Sequence, residues 1–358
     1  MISIEQLLAR ALQMDASDLH VVAGIPPSVR VDGDIQFLEG EALTPEATGE
    51  MISALLNDAQ RERLERELEL DFSFQLPDLG RFRTSLYFSR GALEGSFRIV
   101  PLRLKTAHEL NLPQVLERLA KVPSGLVLIT GPTGVGKTTT MNALIDIINS
   151  DRRVRIITIE DPIEYVHQHR RSVIIQREVD CDTHSFRNAL TSALRQDPNV
   201  ICIGEMRDLD TISTALTAAE TGHLVVSTLH TQSAAQTIDR IIDVFPAHQQ
   251  GQVRMQLASS LQGVICQQLL PLVAERGRVL ACEVMMATPA IRALIREGKM
   301  QQIPNVISTG REDGMILMDR CIRGLYESGL VSYDTAVSRC QDPQTFKSLG
   351  PVEQARWG

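Results

Sequence analysis

The octapeptide GPTGVGKT, residues 131–138, has the residue types and the spacing of a P-loop. In such a loop, glycines let the backbone wrap a phosphate without Cβ clashes, and the N–H groups at the start of the next helix face the anion. Lys137 would place a positive charge at the β- and γ-phosphates, and Thr138 would offer a hydroxyl ligand to Mg²⁺. We therefore predict that ATP binds through Gly131, Pro132, Thr133, Gly134, Val135, Gly136, Lys137, Thr138 and Thr139.

The elements that must position this loop lie on either side of it. Residues 126–129 form an apolar run that predicts a buried strand, and the apolar residues between 138 and 148 recur at helical spacing. Further strands are predicted at 154–159, 200–203 and 224–228. Strands that alternate with helices indicate a parallel sheet, and ligands bind at the carboxyl ends of the strands of such sheets.

Carboxylates follow two of these strands. Glu205 holds the position of a Walker B acid, but Gly204 stands where the usual Asp would be. Mg²⁺ would then be held mainly by Thr138 and the phosphates, with Glu205 acting through water. A carboxylate must also orient or deprotonate the attacking water, and the spacing does not choose between Glu160 and Glu164.

Two histidines flank the last of these strands, with His223 before it and His230 after it. At ~3.3 Å per residue they stand on the order of 20 Å apart, so they cannot both touch one γ-phosphate. We expect His230, which shares the carboxyl edge with the other polar groups, to sense the phosphate.

Arginines complete many P-loop sites, often from a neighbouring subunit. Arg81, Arg83 and Arg98 all lie on predicted strands of the N-terminal part. Arg81 and Arg83 share one strand face because they are two residues apart. A solvated surface role is the alternative for each.

The chain predicts two domains. Residues 1–101 read as a small α/β unit, in which 44–67 form one helix and residues 80–88 alternate as in antiparallel strands. A linker is expected at 102–106, and 107–358 form the nucleotide-binding domain. There, Thr183 is a candidate N-cap, and the chain from about residue 247 reads as mostly helical.

Composition narrows the possible partners. The net charge is −8, aromatic residues make up 4% and there is no Lys/Arg-rich run, which argues against a nucleic-acid-binding surface. No apolar run reaches the ~18 residues of a membrane span and no signal peptide is recognised, so we expect a cytoplasmic protein whose membrane association is indirect. The six cysteines contain no CxxC pair, so no zinc site is predicted.

Several segments together resemble the type II/IV secretion ATPase superfamily and, within it, the PilT-type twitching-motility ATPases that retract type IV pili. They are GPTGVGKTTT (131–140), ITIEDPIEYVH (157–167), IGEMRD (203–208), TAAETGHLVVSTLHT (217–231), AIRALIRE (290–297), ASDLH (16–20) and GRFR (80–83). The resemblance covers essentially the whole chain, although Ala293 stands where the family usually has Asn.

This resemblance implies an α/β protein with a PAS-like N-terminal α+β domain, a RecA-like ATPase domain and a helical C-terminal portion. It implies a homohexameric ring with ATP between subunits, acting on an inner-membrane, PilC-like platform protein from the cytoplasmic face. Glu164 would be the catalytic glutamate, Glu205 the Walker B residue, and Arg81, Arg83 and Arg98 candidate fingers. AIRALIRE is tied in the family to retraction.

Four alternatives accompany this hypothesis. A PilU-like accessory ATPase and a pilus-assembly or type II secretion ATPase would share the same site chemistry. A nucleic-acid translocase would show hydrolysis stimulated by DNA or RNA. A nucleotide-sensing scaffold would bind ATP without turnover.

Overall fold

The computed structural model describes residues 2–31, 33–77, 79–100, 104–273, 277–343 and 346. The chain divides into two compact units, one comprising Met1–Leu104 with Pro162–Val166 and the other Lys105–Asp161 with His167–Gly358. The short segment 162–166 thus groups with the first unit although it follows a strand of the second. Of the predicted linker 102–106, residues 102 and 103 lie outside the described part.

The first unit is built on an antiparallel sheet with strand order β3-β2-β1-β6-β5-β4. Its elements in chain order are α1 (Ile4–Gln13), β1 (Asp18–Val21), β2 (Ser28–Val31), β3 (Asp34–Phe37), α2 (Pro45–Ser53), α3 (Asp58–Glu67), β4 (Glu69–Leu76), β5 (Gly80–Ser89) and β6 (Ala92–Val100).

Side-chain alternation explains the core of this unit. Phe82, Thr84 and Leu86 on β5 are buried, whereas the residues between them face outward. Phe82 and Leu86 pack with Leu8 of α1 and Phe97 of β6 in one cluster. This face of the sheet is therefore closed by helices while the other carries polar side chains.

The second unit contains the elements that surround the P-loop. They are α4 (Val115–Ala120), β7 (Gly125–Thr130), α5 (Lys137–Asp151), β8 (Arg155–Glu160), β9 (Val173–Glu178), α6 (Phe186–Ala193), β10 (Val200–Ile203), α7 (Leu209–Glu220), β11 (Leu224–Leu229), α8 (Ala234–Asp243), α9 (Ala247–Ser260), β12 (Leu261–Pro271), β13 (Arg278–Met286), α10 (Pro289–Glu297), α11 (Ile303–Thr309), α12 (Met318–Glu327) and α13 (Tyr333–Arg339).

The sheet of the second unit has strand order β13-β12-β7-β11-β10-β8-β9. Among the paired strands of the described residues in this sheet, only β12 and β13 run antiparallel. Alternate residues of β7 enter different cores, Leu126 and Leu128 on one face and Val127 and Ile129 on the other. Burial on both faces explains why the strand reads as a continuous apolar run.

Four strand predictions around the site are confirmed, since β7, β8, β10 and β11 run parallel and end at one edge. The expectation of mostly helical structure after residue 247 is wrong, because β12 and β13 occupy most of 261–286. The segment 261–270 lies within a sheet, and its apolar and polar residues show no period that separates strand from helix. The helical C-terminal portion begins instead at α10.

Two smaller predictions also need correction. The segment 44–67 is two helices, because the side chain of Asn57 caps α3 by accepting from the backbone N–H of Gln60 at 2.9 Å. The N-cap of α6 is Ser185 rather than Thr183, with Ser185 Oγ accepting from the backbone N–H of Asn188 at 3.1 Å.

Candidate active site

The P-loop joins β7 to α5 as its sequence predicts. Gly131, Gly134 and Gly136 have φ values of 140°, 80° and 88°, which lie in the region that favours glycine. A Cβ on Gly134 or Gly136 would meet nothing within 4 Å, so the loop is open on that side. A Cβ on Gly131 would instead collide with the backbone carbonyl of Gln267 on β12.

Lys137 begins α5 and its side chain folds back along the loop. Its Nζ donates to the carbonyl oxygens of Gly131 and Pro132, both at 2.9 Å. The same nitrogen lies 3.5 Å from Nδ1 of His230. The ammonium group is therefore held inside the curve of the loop, where a phosphate would meet it.

His230 connects this lysine to Glu205. Its Nε2 lies 3.1 Å from Oε1 of Glu205. A lysine ammonium has only donors, so Nδ1 of His230 accepts and the Nε2–H donates to the carboxylate. The contact pattern thus defines one tautomer of the imidazole.

Strand order produces this arrangement. β11 lies between β7, which carries the P-loop, and β10, which Glu205 follows. The residue after β11 therefore stands between the other two strand ends. His223 lies at the opposite end of the same strand, where its Nδ1 is 3.0 Å from the carbonyl of Ala218.

Glu205 is also paired with Arg207. Burial alone would raise the pKa of Glu205, but the hydrogen bond and charge of Arg207, together with those of His230, lower it overall. The carboxylate is therefore ionised at neutral pH. These side chains line a cavity of about 420 Å³ together with Met206, Leu229, Thr231 and Arg240.

A polar chain behind α5 was missed by the sequence reasoning. The side-chain nitrogen of Asn142 donates to the carbonyl of Thr138 at 3.0 Å. Oδ1 of the same amide lies 2.6 Å from Nε2 of His167. Burial lowers the pKa of His167 to about 4, so the ring is neutral and donates to Asn142. The sequence signal for this contact is Asn142, a polar residue about one turn into the helix that follows the P-loop.

Gln267 was missed as well. Its Nε2 donates to Oγ1 of Thr140 at 2.7 Å, and its carbonyl abuts Gly131. Both contacts hold β12 against the P-loop. The sequence of this region predicts helix, so it gives no indication that Gln267 lies on a strand beside the P-loop.

The two candidate general bases occupy different environments. Glu160 ends β8 and is 1% exposed, and its Oε1 accepts from Oγ1 of Thr158 at 2.6 Å and from Nε2 of Gln176 at 3.0 Å. Glu164 is exposed and lies in the segment that groups with the first unit.

The three candidate arginines also lie in the first unit. Arg83 on β5 is exposed and is the register partner of Arg98 on β6. Nε of Arg98 donates to Oδ1 of Asp18 at 2.9 Å, and Arg98 remains 65% exposed. Arg81 is half-buried. The neighbouring carboxylate offsets part of the repulsion between the paired arginines.

The residues of the loop fit a nucleotide and a divalent cation. The open glycine positions leave a cradle for phosphates, beside the ammonium of Lys137 and the N-terminus of α5. Within the described residues, no group of three or more His, Cys, Asp or Glu side chains could hold a metal. Thr138 beside the loop and Glu205 at the neighbouring strand end would hold Mg²⁺ together with phosphate oxygens and water.

A P-loop between a parallel strand and a helix, with an acid and a histidine at adjacent strand ends, defines a P-loop ATPase. A family model described as "Type II/IV secretion system protein" matches residues 1–323, and the chain belongs to this family. The chain is 48% identical over 343 residues to the type IV pilus retractation ATPase PilT of Pseudomonas aeruginosa, covering 96% of this chain and 99% of that relative. It is 39% identical over 345 residues to the type IV pilus ATPase PilU of the same organism, covering 96% and 90%.

A solved structure of the pilus retraction motor PilT with bound ADP has the same fold. Its TM-score is 0.91 at 45% identity, covering 96% of this chain and 98% of that one. The predicted fold class, an α/β protein with a RecA-like ATPase domain, is thereby confirmed. Among the helices of the described residues, none combines the length and the apolarity needed to cross a bilayer.

Proposed function

We propose that this protein is a hexameric motor ATPase that couples ATP hydrolysis to type IV pilus retraction. The contact of His230 with both Lys137 and Glu205 supports ATP hydrolysis, because it joins the phosphate-binding loop to the acidic strand end in one network. The greater identity to PilT than to PilU, 48% against 39%, favours retraction itself over the accessory role.

Different residues of the second unit would bind the phosphates of ATP and the Mg²⁺ ion. Lys137 and the N–H groups at the start of α5 would hold the β- and γ-phosphates, and Thr138 and Glu205 would hold Mg²⁺. The bound Mg²⁺ would neutralise charge that develops between the β- and γ-phosphate oxygens. His230, with its ring fixed by Lys137 and Glu205, would report the presence of the γ-phosphate to β10 and β11.

We assign water activation to Glu164 and a structural role to Glu160. The buried Glu160 already accepts hydrogen bonds from Thr158 and Gln176, which supports this choice. Glu164→Gln should reduce kcat by about 10²- to 10⁴-fold while ATP still binds. Hydrolysis is measured by phosphate release and binding by a fluorescent nucleotide.

Glu160→Gln is the matched comparison. It keeps the shape of the side chain, and its amide oxygen can still accept from Thr158 and Gln176, so turnover should persist in any folded protein. Loss of turnover in Glu160→Gln together with normal turnover in Glu164→Gln would transfer the role to Glu160.

Arg81, Arg83 and Arg98 are proposed to reach a neighbouring subunit's nucleotide. The exposure of Arg83 and Arg98 supports this role. Mixing a Lys137→Ala subunit with an Arg83→Ala subunit tests it, since a shared site would regain part of the activity that each variant lacks alone. Equal inactivity of every mixture would count against sharing.

The cellular role predicts a specific phenotype. The ring would act at the cytoplasmic face of the inner membrane on a platform protein at the pilus base. Cells that lack the gene should carry excess pili and fail to twitch, and expression of the Lys137→Ala variant should not rescue them. Cells without pili would indicate an assembly ATPase instead, and hydrolysis stimulated by DNA at physiological salt would indicate a translocase.

A further inference from the structure

Two cysteines of the second unit face each other outside the nucleotide site. Cys282 lies on β13 and Cys321 lies on α12. The backbone N–H of Cys282 donates to Sγ of Cys321 at 3.4 Å, and the two thiols hydrogen-bond one another. The N and Cβ atoms of a residue are bonded to the same Cα, so a sulfur this close to the nitrogen is also within a few ångström of the Cβ. This contact brings the two side chains into the range from which rotation about their side-chain bonds can join the sulfurs.

The segments that carry the two thiols are fastened together. Val284 and Ile316 exchange backbone hydrogen bonds of 2.8 and 3.1 Å, so the chain just before α12 pairs with β13. Oε2 of Glu283 accepts from the backbone N–H of Met318, the first residue of α12, at 3.4 Å. Both contacts lie next to the cysteine pair, after Cys282 on β13 and before Cys321 on α12, and they fasten the two segments together.

The two thiols differ in reactivity. Cys282 is buried in the core and its pKa is raised, whereas Cys321 is only half-buried. Hydrogen bonds from the thiol and the backbone N–H of Cys282 lower the pKa of Cys321, because they stabilise its thiolate. Cys321 is thus the nucleophile of the pair and Cys282 the partner that resolves the oxidised sulfur.

We propose that Cys282 and Cys321 are an oxidisable dithiol, which hydrogen peroxide converts to a disulfide between β13 and α12. The thiolate of Cys321 attacks one oxygen of the peroxide, the O–O bond breaks, and the leaving hydroxide takes up a proton to become water. The sulfur of Cys282 then attacks the sulfenic acid of Cys321, and its proton and the sulfenic hydroxyl leave as a second water. Two thiols are oxidised and one peroxide is reduced to two waters.

Peptide mapping of the full chain tests this directly. The reduced protein is treated with increasing hydrogen peroxide, quenched with N-ethylmaleimide and digested without reductant. Exposed Cys181 serves as an internal indicator that the oxidant has acted. We expect a linked peptide containing Cys282 and Cys321 that disappears with dithiothreitol. Oxidation of Cys181 with both core thiols still recovered as maleimide adducts would overturn the proposal, as would a link from Cys282 to Cys266.

Variants separate the two chemical roles. Cys282→Ser should leave a sulfenic acid on Cys321 that dimedone traps, and Cys321→Ser should abolish both the link and the trap at this pair. Cys340→Ser is the matched control and should form the link as the native chain does. Strong dimedone labelling of Cys282 in Cys321→Ser would contradict the assignment of Cys321 as nucleophile.

Thermal unfolding gives a readout that does not depend on ATP turnover. The disulfide closes a loop between β13 and α12, so the oxidised protein should show a midpoint several degrees above the reduced protein, reversed by reductant. The Cys321→Ser variant should show no such shift after the same treatment. An equal shift in that variant would assign the stabilisation to another site.

Discussion

The Nε2 atom of His230 lies 3.1 Å from Oε1 of Glu205. The imidazole thus lies between the acidic strand end and Lys137, whose Nζ is 3.5 Å from its Nδ1. His230→Ala should lower kcat for ATP hydrolysis by about 10- to 10³-fold, since the imidazole that holds Lys137 and Glu205 in position is lost. Steady-state phosphate release measures this.

His248 on α9 is the matched control for this change. It is exposed, and replacement by Ala should leave kcat within the error of the assay. Equal kcat values in both variants would remove His230 from the catalytic network.

The P-loop depends on a close backbone approach at Gly131. A Cβ at this position would collide with the Gln267 carbonyl, and φ is 140°. Gly131→Ala should therefore abolish nucleotide binding and lower the free energy of unfolding by about 1–3 kcal/mol. Urea unfolding and nucleotide titration measure the two effects.

Gly251 within α9 gives the opposite expectation with the same substitution. Nothing lies within 4 Å of a Cβ there and the residue is helical. Gly251→Ala should raise the free energy of unfolding by about 0.5–1 kcal/mol, because alanine is the better helix former. A loss of stability at this position would contradict the described packing of α9.

The side chain of Arg292 on α10 caps the C-terminal end of α9. Its guanidinium donates to the carbonyl oxygens of Ala258 at 2.5 Å and Ser259 at 2.7 Å, and burial lowers its pKa. Arg292→Ala would leave those carbonyls without this donor and should cost about 1–3 kcal/mol of unfolding free energy. The exposed Arg296 is the control, and its replacement by Ala should cost less than about 0.5 kcal/mol. Similar losses in the two variants would refute the capping role.

Buried His167 makes stability depend on pH. Burial lowers its pKa from 6.5 to about 4, so the folded state favours the neutral ring. Above pH 6.5 the ring is neutral in both the folded and the unfolded state, and the free energy of unfolding is not reduced. As pH falls from 6.5 towards 4 the unfolded state gains the proton first, which lowers the free energy of unfolding by up to about 3 kcal/mol. Urea unfolding at pH 7.5 and at pH 5 measures the decline.

His167→Gln provides the comparison, since its amide can still donate to Asn142 but does not titrate in this range. The variant should lose less stability than the native protein between the two pH values. Parallel declines would place the pH dependence elsewhere.

The sequence predicted the P-loop, its flanking strand and helix, and the polar ends of the neighbouring strands, because each of these is a local pattern. It did not predict that His230 would contact both Lys137 and Glu205. That contact requires β11 to lie between β7 and β10, and the order of strands in a sheet is set by long-range packing. The periodicity of 261–270 was uninformative for a related reason, since a strand buried on both faces has no polar alternation. The contacts of Gln267 with Thr140 and Gly131 could not be predicted for the same reason.

The pairing of β12 with β7 has a consequence for the order in which the chain can fold during synthesis. The motifs of the nucleotide site are complete once His230 has left the ribosome, yet at that moment β7 has an unpaired edge next to the P-loop. Only when residues 261–271 emerge can β12 cover that edge and place the Gln267 carbonyl against Gly131. A nascent chain that stalls shortly after residue 230 would expose an apolar strand edge able to pair with other chains, so its rescue would depend on chaperones.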